Sequence, residues 1–315
     1  MAKLTRKKTI LVKSEGSSYG QDASPTGGAN AILVRDIELT PLESDTVDRE
    51  LLRSYLGNFE TLLGNQRAMV SFTCELVGSG AAGTAPAYGV ALEACAMAVT
   101  TVSGTSNTYA PISDASSMKS VTIYVNMDGV NHAITGARGT YTISCELNEI
   151  PTITFEFTGK YNNPADVTLP SCTYANQADP LLFKNGNTSS FQFYGYAGAL
   201  QSWELDMANE VIFRELVGGT KSIDIVDRKP SGTLTVEAVA MGGSGHNFFA
   251  DATGGNTGTN KLTHGTTAGN KIEISCPTSD VGAPGYTDAD GIQMLELPFV
   301  AVPNSGNDEV SIKFF

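Results

Sequence analysis

The sequence predicts a mainly β chain (α+β in detail) of two tandem antiparallel units, each with one short flanking helix. Apolar and polar residues alternate along most of the chain, and short motifs recur in the same order in both halves. The length of 315 residues suits two units of about 150 residues each. Because only 17% of residues are charged and Gly reaches 33, strands joined by loops are favoured over long solvated helices.

Alternation with a period of two residues is typical of strands that bury one face. It predicts strands at 70–76, 121–126, 141–147, 153–157, 234–238, 272–276 and 310–314. The pair Asp128-Gly129 predicts a tight hairpin turn, since both residue types tolerate a positive φ. The segment 88–99 is rich in Ala, Leu, Met and Glu instead, and it predicts a short buried helix.

The two halves share an ordered series of motifs. The tripeptide Ile37-Glu38-Leu39 is matched by Trp203-Glu204-Leu205, and the strand at 71–75 is matched by 233–237. A glycine cluster, a helical candidate (88–99, then a shorter one at 246–252) and a closing strand follow in each half. This shared order predicts an internal duplication.

The predicted boundaries give four segments. They are an N-terminal arm at 1–13, a first unit at 14–165, a linker at 166–179 and a second unit at 180–315, the linker prediction resting on a Pro-, Asn- and Ala-rich stretch. The arm is basic, with Lys3, Arg6, Lys7, Lys8 and Lys13.

The net charge of −13, from 33 acids and 20 bases, argues against a protein that grips nucleic acid. Such proteins need clustered Lys and Arg to displace counterions from phosphate. The longest apolar helical stretch, 90–99, is about half of what a bilayer requires. The apolar run at 9–12 is too short for a signal peptide, so we expect synthesis and folding in the cytoplasm.

Three local patterns resemble catalytic or ligand-binding motifs, and each lacks a required part. The GxSxG pattern around Ser18 is followed by a Ser-, Pro- and Gly-containing stretch instead of the helix that a nucleophile elbow needs. At 218–222 a phosphate loop would need Gly before Lys221, where Thr220 stands, so a hairpin turn is predicted. At 287–291 a calcium loop lacks two of its acids, and a polar turn is favoured.

The cysteines and histidines predict neither disulfides nor a metal site. Five widely separated cysteines without a CxxC pair are interpreted as reduced, small buried hydrophobes. None of the three histidines has a second ligand at metal-binding spacing. We therefore expect no cofactor, no metal and no catalytic residue.

Two groups of longer motifs carry a family resemblance. In the second half they are Gly195-Tyr196, the stretch 200–211 beginning Leu200-Gln201-Ser202-Trp203, and the stretch 226–232. In the first half they are Gly136-Ala137-Arg138-Gly139 and the stretch 149–161. In these motifs the protein resembles the two-domain tail tube proteins of long-tailed, non-contractile bacteriophages (siphophages), and the resemblance covers most of the chain.

The resemblance implies that each unit is an antiparallel β-sandwich or half-barrel. It also implies a structural subunit of the virion tail, assembled in the cytoplasm of the bacterial host. Single-domain members of the family form hexameric rings that stack into a tube, so a chain with two copies would form the same pattern from three subunits. The family's tube surrounds the tape measure protein, joins the tail terminator and distal tail proteins, and conducts DNA without binding it specifically.

Three alternatives stay open at this point. Another virion protein, such as a decoration or baseplate subunit, would share the composition but lack the tandem repeat. A tube subunit of a phage-derived injection system would share both. A hydrolase that uses Ser18 would react with a nucleophile-directed probe.

The predicted stacking contacts lie in the loop at 41–67, in its counterpart at 207–228 and in the basic arm, represented by Lys3, Arg6, Lys7 and Lys8. The first loop is too apolar to be solvated, so its residues are interface, unless they form a helix on the core of their own unit. They are Leu51, Leu52, Tyr55, Leu56, Phe59, Leu62 and Leu63.

The lumen of such a tube is predicted to be acidic, because a basic wall would hold DNA at every ring. Acids on polar strand positions are the candidates for this lining. They are Glu75, Glu146, Glu156, Glu204 and Glu237.

Overall fold

The computed structural model describes residues 3–16, 18–242 and 245–315. It contains short helices α1 (Gly27–Asn30), α2 (Gly89–Ala94) and α3 (Phe248–Gly254) among many strands. In chain order the strands are β1 (Lys8–Ser14), β2 (Ala31–Ile32), β3 (Asp36–Val47), β4 (Leu62–Glu75), β5 (Met97–Val102), β6 (Ser106–Pro111), β7 (Val121–Met127), β8 (Val130–Glu146), β9 (Thr152–Lys160), β10 (Ala165–Asp166), β11 (Thr188–Phe193), β12 (Leu200–Asp206), β13 (Asn209–Arg214), β14 (Ser222–Arg228), β15 (Ser231–Glu237), β16 (Thr257–His264), β17 (Ile272–Val281), β18 (Gly285–Ala289), β19 (Ile292–Ala301) and β20 (Ser311–Phe314). The mainly β, antiparallel fold predicted from the sequence is confirmed.

One antiparallel sheet runs through both halves of the chain. Its strand order is β3–β4–β9–β8–β12–β15–β19–β18, and we call it the long sheet. The joint between the halves is the pairing of β8 with β12, in which Trp203 lies opposite Cys145. Apolar residues at alternate positions of these strands are buried, as the period-two pattern requires.

A second layer packs against the buried face of the long sheet. One part of this layer consists of β1, β7 and the start of β8. The other part joins the two halves: its strands pair in the order β5, β6, β20, β17, β16 and β11, of which β5 and β6 come from the first half. β8 belongs to both layers because it bends at Gly136, whose φ of 61° favours glycine. A bulge between Thr135 and Arg138 marks the same bend.

Large aromatic side chains fill the space between the layers. Phe193 of the second layer lies 6.1 Å from Phe299 of the long sheet, measured between ring centroids. Trp203 is buried, and its indole N–H donates a 3.1 Å hydrogen bond to Asn260 on β16. The polar end of the one tryptophan is therefore satisfied inside the core, as buried indoles require.

The two halves pair their strands in the same order. In the first half the order is β1–β7–β8–β9–β4–β3, and in the second it is β11–β16–β17–β19–β15–β12. A short helix lies between β4 and β7 in one half and between β15 and β16 in the other. The first half also carries the hairpin of β5 and β6, which has no counterpart between α3 and β16.

The helix predicted at 88–99 is too long. The helix α2 ends at Ala94, because Ala96 adopts a left-handed φ of 58° and the chain continues as β5. The β-branched residues from Val99 to Val102 favour this strand. The helix predicted at 246–252 corresponds to α3, which lies two residues further along the chain. It begins there because the Asn247 side chain caps it by accepting a hydrogen bond from the Ala250 N–H at 3.1 Å.

The predicted basic arm includes part of the core. Ile10, Leu11 and Val12 are buried in β1, which pairs with β7 along its whole length. The described residues before β1 are held to the β7–β8 turn, where Lys3 donates to the Asp128 carbonyl and the Leu4 N–H to its carboxylate, at 3.0 and 2.8 Å. Positive φ angles at Asp128 and Gly129 confirm that turn.

The cysteines are free, and four of them are buried as predicted. Burial raises the pKa of Cys145 and of Cys276 to about 12, which keeps these thiols protonated. Cys172 is half-exposed in the predicted linker, so the prediction of a buried thiol is wrong there.

We expect deletion of residues 1–13 to abolish folding, because it removes three buried side chains worth about 1.5–3 kcal/mol each. Deletion of residues 1–6 is the control and keeps the cooperative thermal transition. Near-ultraviolet circular dichroism and thermal melting measure the difference. A folded, soluble protein after the longer deletion would show that β1 is dispensable.

Candidate assembly surfaces

The five glutamates predicted for the lumen lie on one face of the long sheet, opposite the core. The registers place Glu75 opposite Thr152, Thr152 opposite Ser144, and Ser144 opposite Glu204. Cross-strand partners project to the same side of a sheet. The same registers put Glu146, Glu156 and Glu237 on this side, together with Asp36, Glu38, Asp206 and Glu296, and we call it the acidic face.

Bases on the acidic face are confined to one end of it. In the eight strands of the long sheet, the basic residues are Arg67, Arg138 and Lys160. Arg67 pairs with Glu43 at 2.6 Å, and Lys160 lies over the ring of Tyr19 at 4.5 Å. Because all three cations lie at this one end, the centre of the face keeps its negative charge.

The hairpin of β13 and β14 comes from the second half and lies over β8 and β9 on the acidic face. Arg138 holds it there: its guanidinium donates to the Ile223 carbonyl at 2.9 Å and pairs with Asp224 at 3.2 Å. The same group donates to the Met118 carbonyl at 3.0 Å. This cation is nearly buried, so the contacts are stronger than those of a surface pair.

The Tyr19 hydroxyl makes a second attachment of the hairpin. It accepts from the Ile223 N–H at 2.5 Å and donates to the Gly136 carbonyl at 3.1 Å. Burial raises the pKa of Tyr19. The loop that carries Tyr19 is fixed by the buried carboxylate of Glu15, which accepts from the Gly20 and Gly136 N–H groups.

Three further residues seal the joint between β8 and β12. The Asn209 side chain donates to the carbonyls of Gly139 and Cys95, at 3.0 and 2.9 Å. Met207 is fully buried and receives a 3.6 Å contact from the Tyr141 hydroxyl. Arg228 donates to the Ile112 carbonyl and pairs with the buried Glu309.

The apolar segment at 51–63 projects away from both layers. It is not helical, and its side chains leave the core, with Leu52 and Leu56 fully exposed. The alternative of a helix on the chain's own core is therefore wrong. The predicted loop at 41–67 is also too long. Because β3 ends at Val47 and β4 begins at Leu62, the connection between them is 48–61.

The predicted counterpart at 207–228 is the β13–β14 hairpin, whose tip exposes Leu216 and Val217. The turn predicted at 218–222 closes this hairpin. Two irregular, apolar tips thus extend from equivalent positions, after β3 and after β12.

The described residues do not assemble a reaction centre around the catalytic candidate. Ser18 lies in an exposed turn, and irregular chain follows it up to α1. Within residues 3–16, 18–242 and 245–315 there is no cluster of three metal-binding side chains, and no helix is long and apolar enough to cross a membrane.

A family model described as phage tail tube protein matches residues 5–301. The chain belongs to the phage tail tube protein family. No curated protein matches the sequence. Family membership identifies the chain as a structural component of a phage tail.

The joint between the halves is not predicted by the sequence patterns, although its residues lie within the motifs of the family resemblance. The motifs 136–139, 200–211 and 226–232, which carry the family resemblance, meet at this joint through Arg138, Asn209 and Arg228. The feature of the sequence that could have indicated the joint is an arginine, Arg138, between Gly136 and Gly139, since glycines favour a bend in a strand.

Substituting Arg138→Ala is expected to lower the free energy of unfolding by about 2–4 kcal/mol, because Asp224 and two carbonyls lose a nearly buried partner. It should also speed hydrogen exchange at the Ile223 amide. Arg49→Ala, which breaks an exposed pair with Glu60, is the control and costs less than about 0.5 kcal/mol. Equal effects in urea denaturation would contradict a specific role for Arg138.

Proposed function

We propose that the chain is the tube-forming subunit of a non-contractile phage tail, and that three chains form a ring. The observation that carries the proposal is the long sheet: two halves with the same strand order join edge to edge through β8 and β12. Repetition of this joint around an axis leaves no free edge, which favours a closed assembly. Two halves per chain make a ring of three chains pseudo-sixfold.

The matching strand orders support the view that the halves are tandem copies of one domain. We retain 166–179 as the connection and 180–315 as the second copy, and we begin the first copy at Lys8 instead of residue 14, because β1 belongs to its sheet. This connection is packed, since the Thr173 N–H donates to the Gly27 carbonyl at 2.9 Å and Ala178 to Gly78 at 2.9 Å. The arm is shorter than proposed from sequence, because β1 begins at Lys8.

The acidic face is proposed to line the lumen. Glu156 and Glu204 are exposed there. DNA binds where Lys or Arg side chains replace the counterions of its phosphates, and an acidic wall offers no such side chains. Charges act over about 8 Å at physiological ionic strength, so they must line the bore to repel DNA. The tape measure protein would occupy this lumen before DNA does.

The apolar segment at 51–63 is proposed to contact the neighbouring ring, with the β13–β14 tip and the residues before β1. Exposed leucines in such number mark an interaction surface. The tail terminator and distal tail proteins would cover the same surfaces at the two tube ends. The proposed role is structural, with no catalytic residue, in virions assembled in the host cytoplasm.

Purified protein should form tubes with a central channel when concentrated, and electron microscopy should show three chains per ring. The double substitution Leu52→Asp and Leu56→Asp is expected to stop elongation and leave rings, because it places charges in a desolvated contact. Since both side chains are fully exposed, the fold is retained. Val102→Asp, at another exposed apolar site, is the control and should leave tubes intact. Failure of the unmodified protein to form rings or tubes would refute the proposal.

Lysine at Glu156 and Glu204 should slow DNA ejection from virions while tail length stays unchanged, because each added cation holds phosphate as DNA passes. Time-resolved dye fluorescence of released DNA measures the rate. Lysine at Asp166 and Asp179, exposed acids outside the long sheet, is the control with the same charge change. Equal slowing in both variants would show that the acidic face is not luminal.

A further inference from the structure

The long sheet ends in two strands that each have one partner among the described residues. β3 pairs with β4, and β18 pairs with β19. We propose that β3 of one copy pairs antiparallel with β18 of the next copy, with Glu38 opposite Thr287. This inference rests on the proposed ring and goes beyond it by specifying which strands and which residues meet.

The joint inside the chain supplies the template, because Glu204 of β12 lies opposite Ser144 of β8. Glu38 holds the position of Glu204 in the other half. Glu38 lies opposite Ser71 on β4, and Glu204 lies opposite Thr233 on β15. Ser71 and Thr233 begin the matched segments 71–75 and 233–237.

Thr287 likewise holds the position of Ser144. Ser144 lies opposite Thr152 on β9, and Thr287 lies opposite Met294 on β19. Thr152 and Met294 in turn lie opposite the matched glutamates that end β4 and β15. Replacing each residue of the internal pair by its counterpart therefore gives Glu38 opposite Thr287.

Strand direction fits this pairing. Direction alternates through the eight strands of the long sheet, so β3 and β18 run in opposite directions. Rotation about a ring axis brings β3 of one copy beside β18 of another as an antiparallel pair. The alternation then continues without a break from copy to copy.

The side chains brought together by this register are complementary. Leu39 faces Tyr286, which is 54% exposed in the single chain, so an apolar pair would be covered. Extending the register one residue beyond the ends of β3 and β18 places Arg35 opposite Asp290. Both are exposed, and neither forms an ion pair with another described residue.

The test is disulfide cross-linking in a Cys172→Ser background, with Glu38→Cys and Thr287→Cys placed on separate chains and mixed during assembly. Directly opposite residues have Cα atoms about 4.5–5.5 Å apart, within disulfide reach. The control combines Asp36→Cys with Thr287→Cys, a diagonal pair about 7–8 Å apart. Both pairs use exposed positions.

At least tenfold more oxidised dimer in the Glu38 pair than in the control supports the register. Tubes that form normally but cross-link only in the diagonal pair, or in neither, overturn the register and leave the ring intact. Absence of rings and tubes from the unmodified protein overturns the proposed function as well. As a second measurement, Arg35→Asp should weaken assembly and Asp290→Arg should restore it; no rescue counts against the pairing.

Discussion

The backbone hydrogen bonds at strand edges are the constraint on which this structure depends. A sheet leaves a row of unpaired N–H and C=O groups at each end, and β8 and β12 satisfy one such row inside the chain. The pairing is possible because β8 bends at Gly136, so that its first half serves the second layer and its last residues reach β12. The Glu15 carboxylate stabilises that bend by accepting from the Gly136 N–H at 2.5 Å.

The joint is also a packing interface, and this makes the halves depend on each other. Tyr141 is fully buried, with its hydroxyl near the sulfurs of Met97 and Met207, one from each half. In the second layer, Ile312 of β20 pairs with Tyr109 of β6. Since hydrogen bonds and apolar contacts cross the joint in both layers, separating the halves would expose core surface as well as strand edges.

Period-two alternation predicted seven of the strands, among them β4, β8, β9 and β15 of the long sheet, because these strands bury one face and expose the other. It placed all five candidate glutamates on the polar side of their strands, but one strand cannot show that neighbouring strands share a face. That depends on register, which is set by strand pairings between residues far apart in the sequence, such as Arg67 with Lys160 across β4 and β9. The helix at 88–99 was overpredicted because Ala and Met in its second half also suit a buried strand, and the left-handed Ala96 gives no signal in composition.

The connection at 166–179 has a kinetic consequence. The two halves of one chain meet at an effective concentration that this connection sets, which for short tethers is of millimolar order. In the proposed ring of six domains, half of the joints would then form during folding, and three joints between chains would remain. The two halves can also differ from each other, because a substitution in one half would not be repeated six times around the proposed ring. The β5–β6 hairpin, present in one half, is such a difference.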